Sequence, residues 1–343
     1  MKRTTDFARY LTKFLSEYLP IERNMSANTI ASYRDTFVLF INFMKDVKNT
    51  RIDSLALKDI SKNVIIDFLQ WLDEHRASSI STRNNRLAAI HSFIQYLQYE
   101  DITNLHEWQK ILSIKHKKTA SKGFDYLSVD AIKLLLEQPD TSTYYGRRDL
   151  TLLTLMYDTG ARVQEIIDLT PSAIRIADLP YTICITGKGR KSRIQPLMKE
   201  QVPLLKHYME ENHLLDDDKT KVPLFSNKRG EKFSRMGVSN ILKKYIDLAK
   251  SANKGLFPEV VSCHSLRHSK AMHLLQAGVN IVYIRDFLGH SSIQTTEIYA
   301  RADSKQKREA LEKVYENLSP GVNKQAKWEQ NHDLLMWLKS FGR

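Results

Sequence analysis

At 343 residues, 42% of them hydrophobic, the chain is long enough for two ordinary domains and apolar enough to bury a core, which argues against global disorder. Nine Pro and twelve Gly are too few for a sandwich or barrel of many tight turns, so composition leans to helix. A net charge of +13 suits a polyanionic partner, whose condensed counterions a basic surface releases.

Residues 1–112 read as a helical unit. Ser26 or Asn28 can cap a helix whose apolar residues recur as Ile30, Tyr33, Phe37, Phe40 and Met44. A second helix fits Val64–Asp73, with Ile65, Phe68, Leu69 and Leu72 inward. A third begins near Ser81–Thr82 and carries Leu87, Ile90, Phe93, Ile94 and Leu97. Its opposite face holds Arg83, Asn84 and Arg86, expected in solvent and, in so basic a chain, able to touch phosphate. Residues 113–122 contain KHKKTASK, show no periodicity and read as a basic linker, with Lys115, Lys117 and Lys118 as further phosphate contacts.

Residues 123–320 form the second unit. Ser128 caps a helix with Val129, Ile132 and Leu135, and another helix runs from Asp149 to Tyr157. Tyr181–Thr186 alternates apolar and polar residues, Gly187-Lys188-Gly189 makes a tight turn, and Arg193–Leu197 resumes an extended pattern. Helices return at Val238–Ala249. In the tail, 321–343, Leu334, Leu335, Trp337, Leu338 and Phe341 fall on nearly one helical stripe, which can pack on its own domain or on another protomer. The expected class is mainly α with a small antiparallel β-sheet. Two cysteines, Cys184 and Cys263, cannot build a disulfide framework and fit a reducing compartment. MKRTTDFARYLTKF lacks the apolar run of a signal peptide, and no stretch of about 18 apolar residues could span a bilayer. A cytoplasmic protein with no membrane partner is expected.

Four clusters in the second unit carry chemistry. In TGARVQE, Gly160 ends one helix and Arg162 opens the next, with Glu165 one turn on. At the hairpin tip, glycines on both sides of Lys188 let an ammonium group project uncrowded, with Arg190 beside it. A phosphate-binding P-loop is not supported, because the GxxxxGK[ST] spacing is absent. In CHSLRH, His264, Arg267 and His268 share a helical face. The zinc pattern HExxH fails, since Ser265 stands where the Glu should be, and a set of His and Arg donors describes an anion site. In LGHSS, Gly289 can end a short helix and Ser291 with Gln294 can cap the next, which presents Tyr299 two turns in.

These residues together supply cationic donors and one weak nucleophile, with no carboxylate cluster for paired metals. Arginines can stabilise the extra charge of a pentacovalent phosphorane without a metal. A phenol attacking phosphorus forms a covalent ester, and a lysine can protonate the departing 5′ oxygen.

TGARVQEIIDL, TGKGRKSRIQPL, HSLRHS and LGHSSIQTTEIYA, in that order, resemble the tyrosine recombinases, or phage integrase family, in the style of Xer-type and transposon-borne members. The resemblance covers nearly the whole chain. It implies Arg162, Lys188, His264, Arg267 and His290 as catalytic residues, Tyr299 as nucleophile and Glu165 in support. It implies an N-terminal SAM-like core-binding domain and a C-terminal catalytic domain that clamp duplex DNA as a C, with neither metal nor cofactor. A 3′-phosphotyrosyl intermediate and a Holliday junction within a homo-tetramer, with a related recombinase as a possible second subunit, follow from the same resemblance. The expected outcome is integration or excision of a mobile element, or resolution of chromosome dimers. Two other readings are a non-catalytic DNA-binding regulator, which leaves the first two clusters without a role, and a type IB topoisomerase, which shares the chemistry.

Overall fold

The structure, a computed structural model, describes residues 5–119, 125–187, 189, 191–290, 292–302 and 336. The chain divides into two compact units, Met1–Lys122 and Gly123–Arg343.

In the first unit, α1 (Asp6–Lys13) runs into a π-helical segment, Phe14–Glu22, followed by α2 (Ala27–Asp46), α3 (Lys62–Glu74), α4 (Ile80–Glu100) and α5 (Leu105–Leu112). Serine hydroxyls open α2, α3 and α4: Ser26 accepts from the Thr29 N–H, Ser61 from Val64 and Ser79 from Thr82. Each satisfies a donor that a helix start leaves orphaned. Thus α4 begins at Ile80, one residue before the expected place, with Ser79 as its cap. The anticipated stripes form the core, with Phe37, Phe40 and Met44 packed on Phe68, Leu72, Phe93 and Leu97. The segments not anticipated, α1, the π-helix and α5, close that core with Phe7, Phe14 and Trp108.

Arg83 corrects the reading of α4. It is 8% exposed, with Nε 3.3 Å from the Asp73 carboxylate. The reason is periodic: Arg83 stands four residues before Leu87 and seven before Ile90, on the apolar stripe itself. Arg86 is also occupied, donating to the Ser32 carbonyl and the Thr36 hydroxyl. Asn84 exchanges two hydrogen bonds with the Lys117 backbone, and the Lys117 ammonium lies 2.8 Å from Asp73. This part of the expected linker is therefore held on the first unit, while Lys115 and Lys118 are exposed.

The second unit contains α6 (Val129–Leu136), α7 (Tyr144–Thr159), α8 (Val163–Ile167), β1 (Ile174–Arg175), β2 (Thr182–Thr186), β3 (Ser192–Pro196), α9 (Val202–Glu211), α10 (Arg235–Ala252), α11 (Cys263–Gln276), α12 (Ile281–Leu288) and α13 (Gln294–Ala302). Ser128 caps α6 as expected, although Val129 is 48% exposed and only Ile132 and Leu135 of the trio are inward. The sheet is antiparallel in the order β1-β2-β3, with Ile183 opposite Gln195 and Ile185 opposite Arg193. On β2 the inward residues Ile183 and Ile185 are apolar and fully buried. On β3 the pattern is reversed: Gln195 is buried and Arg193 half-buried, while Ile194 is 73% exposed. The helices α6, α7, α9 and α10 enclose the main core, and α11, α12 and α13 share a smaller one that includes Tyr299. Both cysteines are free thiols. Among the described residues no helix is long and apolar enough to cross a membrane.

Candidate active site

The site is built on two helix ends. Gly160 terminates α7 at φ 55° and Gly289 terminates α12 at φ 65°, left-handed conformations that cost glycine little. The two turns lie close together, because a Cβ on Gly160 would come within 2.8 Å of the Leu288 side chain. The last carbonyls of a helix lack internal partners and carry partial negative charge, so a cation belongs there.

Arg267 supplies it. Reaching from α11, its Nη1 donates to the Gly160 carbonyl and its Nη2 to the Leu288 carbonyl, each at 2.7 Å. The side chain is 1% exposed. The face shared with His264 and His268 is therefore not a solvent face at its centre: Arg267 lies in line with buried Ala271 and Leu275. Burial, with a smaller push from Arg162, lowers the guanidinium to about 10, which leaves it charged at neutral pH.

Arg162 opens α8. Its backbone N–H and its Nη1 both donate to Glu165, at 2.9 and 2.8 Å, and its Nη2 lies 3.5 Å from the Gly289 carbonyl. The pair expected at i, i+3 is not confined to the surface, since Glu165 is 5% exposed. The carboxylate serves a third donor, Arg193 Nη2, at 2.8 Å. Burial alone would raise the Glu165 carboxyl, but the bonds from Arg193 and Arg162 outweigh it and hold it below its usual range. Gly187 lies against the same carboxylate, where a Cβ would meet Glu165 Oε1 at 3.0 Å. The hairpin thus leaves the sheet beside Glu165. Lys188 and Arg190 at its tip fall outside the described residues.

His290 follows the Gly289 turn, and its Nδ1 pairs with the buried Thr296 hydroxyl at 2.8 Å. Burial and the Arg267, Arg162 and Arg193 cations push its imidazole down to about 3. Partial desolvation, with Arg267 and Arg162, also holds the exposed His264 below its usual range. Ser291, the expected cap of α13, lies outside the described residues; Ser292 accepts from the Gln294 N–H.

Tyr299 sits at the centre of the cluster, 2% exposed. Its hydroxyl is 2.9 Å from His268 Nδ1, and its ring stacks on His290 at 6.4 Å with an interplanar angle of 13°. Burial raises the phenol, while Arg267 and Arg162 pull it down by less. The His268 ring in turn meets His264 edge to face at 4.9 Å. Five of the anticipated residues, Arg162, His264, Arg267, His290 and Tyr299, therefore converge, with Glu165 beneath them. Among the described residues no group of three or more His, Cys, Asp or Glu is gathered as a metal site. Three participants were not anticipated: Arg193, Gln195 and His268 as partner of the tyrosine. The inward polar face of β3 is the one local signal for Arg193 and Gln195, whereas His268 is already legible as part of the His and Arg face of α11.

Comparison with known proteins places this arrangement. The model of the phage integrase family matches residues 125–306, and that of the phage integrase N-terminal SAM-like domain matches residues 11–101. The chain is 33% identical over 340 residues to the putative integrase/recombinase y4rC of Sinorhizobium fredii, covering 99% of this chain and 100% of that protein. It is 33% identical over 315 residues to tyrosine recombinase XerD of Staphylococcus epidermidis, covering 90% of this chain and 99% of that protein. A solved structure of XerH site-specific recombinase bound to palindromic difH substrate, a post-cleavage complex, has the same fold. Its TM-score is 0.67 at 23% identity, over 91% of this chain and 90% of that one.

Proposed function

We propose that this chain, which belongs to the phage integrase family and is a tyrosine-type site-specific recombinase, cuts and rejoins DNA through Tyr299. The observation that carries the assignment is the convergence of two arginines and two histidines on one buried tyrosine at two glycine-ended helices. Arg162 and Arg267 stabilise the non-bridging oxygens of the phosphorane, and His264 and His290 add neutral donors. Tyr299 gives up its phenolic proton to solvent and attacks phosphorus, the bond to the 5′ oxygen breaks, and Lys188 protonates that oxygen. The products are a 3′-phosphotyrosyl ester and a free 5′-hydroxyl. No water is consumed, so the reverse attack by a 5′-hydroxyl reseals the strand.

A phenol oxygen hydrogen-bonded to His268, on a ring 2% exposed, is not yet presented to DNA. Cleavage therefore requires α13 to shift on binding. Strand exchange follows through a Holliday junction in a homo-tetramer, or with a related recombinase as second subunit, in the cytoplasm. The units 1–112 and 123–320, joined through 113–122, both bind the duplex, and Lys115, Lys118 and Arg190 are contacts to its backbone. The stripe of residues 334–341 lies outside the described residues, apart from Met336. A mostly apolar cavity lined by Ile194, Leu274, Val279, Tyr283 and Phe287, with Arg193, Gln195 and Asp286 also in its wall, offers a seat for such a stripe from a neighbouring protomer.

The test is covalent trapping on lightly nicked genomic DNA. Wild-type protein should remain attached to DNA under denaturing conditions, and Tyr299→Phe should bind DNA but form no adduct. An adduct from the Phe variant removes Tyr299 as nucleophile. Sequencing the trapped DNA identifies the site and, with it, the choice between mobile-element movement and chromosome dimer resolution.

A further inference from the structure

The strand β3 breaks the rule that an inward strand face is apolar. Departures of this kind are expected where function overrides packing. Arg193 donates Nη2 to Glu165 at 2.8 Å and Nε to the Phe287 carbonyl at 3.0 Å. Gln195 donates to the same Phe287 carbonyl and to the Thr159 carbonyl, the last residue of α7. A Cβ on Gly289 would lie 2.9 Å from Arg193 Nη1, so the turn before His290 rests directly on this guanidinium. The Arg193 side chain is 13% exposed and Glu165 5%, so neither end of the pair is a loose surface contact.

We propose that Arg193 is a positioning residue that locks the Arg162 turn to the His290 turn, through Glu165 on one side and the end of α12 on the other. The inference rests on the assignment of Arg162, His290 and Tyr299 above. A carboxylate shared between two guanidinium groups fixes the rotation of both, and Arg162 is the one left to meet phosphate. A planar fork is required, because one cation must reach a carboxylate and a carbonyl in two directions at once.

The experiment uses full-length protein and a nicked suicide duplex carrying the site recovered from covalent complexes. The scissile position is either an ordinary phosphate or a methylphosphonate. A methyl group in place of a non-bridging oxygen removes one negative charge from the phosphorane, so cleavage depends less on a well-placed guanidinium. Arg193→Gln should slow adduct formation about a hundredfold on the ordinary phosphate, the scale of a small misplacement. It should leave DNA affinity unchanged and approach the wild-type rate on the methylphosphonate. Arg162→Ala should show the same split, and adding Arg193→Gln to it should cost little more.

Equal losses on both substrates, or none on either, overturn the proposal. If Arg193→Gln does not melt cooperatively, Arg193→Lys carries the test, since it keeps the charge beside Glu165 but loses the fork. Tyr299→Phe in the same assay separates the two readings. An adduct from Tyr299→Phe ends the site assignment itself, whereas wild-type rates from Arg193→Gln beside an inert Tyr299→Phe end only the role of Arg193.

Discussion

A 5′ oxygen leaves as an alkoxide unless it is protonated in step, so the share carried by Lys188 can be read by changing the leaving atom. Lys188→Ala should slow cleavage of an ordinary phosphodiester by about 10²–10⁴, the range of general-acid catalysis. A 5′-phosphorothiolate, whose sulfur leaves without a proton, should restore most of that loss; a variant equally slow on both substrates would remove Lys188 as the acid. At this scale the sequence speaks clearly where one residue type can do one job. Arg162, His264, Arg267, His290 and Tyr299 are legible because few other chemistries use that set. Arg193 is not, because its meaning lies in contacts with Glu165 and Phe287, far from it in the chain. Arg83 misleads by its charge, although its place four residues before Leu87 already sets it inward.

At the scale of elements, the site depends on how two helices stop. Gly289 combines φ 65° with a close approach to Arg193, whereas Gly278 has φ 82° and open space, with nothing within 4 Å of where a methyl group would stand. Gly289→Ala and Gly278→Ala should therefore both lower the melting temperature, each through backbone strain of about 1–3 kcal/mol. Only Gly289→Ala should also abolish adduct formation under conditions where both variants are folded. Equal activity from the two would show that the turn tolerates displacement. Helices with a long apolar period, such as α3, are readable nearly to their ends. Others are not: α9 begins with Val202-Pro203 between a strand and a long loop, and the π-helical Phe14–Glu22 follows no 3.6-residue stripe. The sheet is legible on β2, whose alternation is apolar inward, but β1 is too short to register.

For the molecule as a whole, the burial of neutral histidines makes stability depend on pH. Desolvation is the largest cause holding His268, His273 and His290 below their usual range, to about 4 for His268 and about 3 for His290. In the unfolded chain these side chains take up protons near 6.5. Between that value and about 3–4 the unfolded state binds more protons than the folded one, so stability is lost as pH falls through this window. The melting temperature should be level above about pH 6.5 and decline progressively below it. A level profile down to pH 4 would mean that these imidazoles take up protons as readily in the folded state as in the unfolded one. The division into two units is legible from the unpatterned basic stretch, although Asn84 and Asp73 hold Lys117 on the first unit.

The parts of the site occur in the chain in the order Arg162, Arg267, His290, Tyr299, with the proposed nucleophile on α13. During synthesis the ribosome therefore delivers the two arginines well before the proposed nucleophile. On the proposed assignment, a chain truncated before α13 keeps both arginines but has no phenol with which to form the ester, so it should bind DNA and leave no adduct.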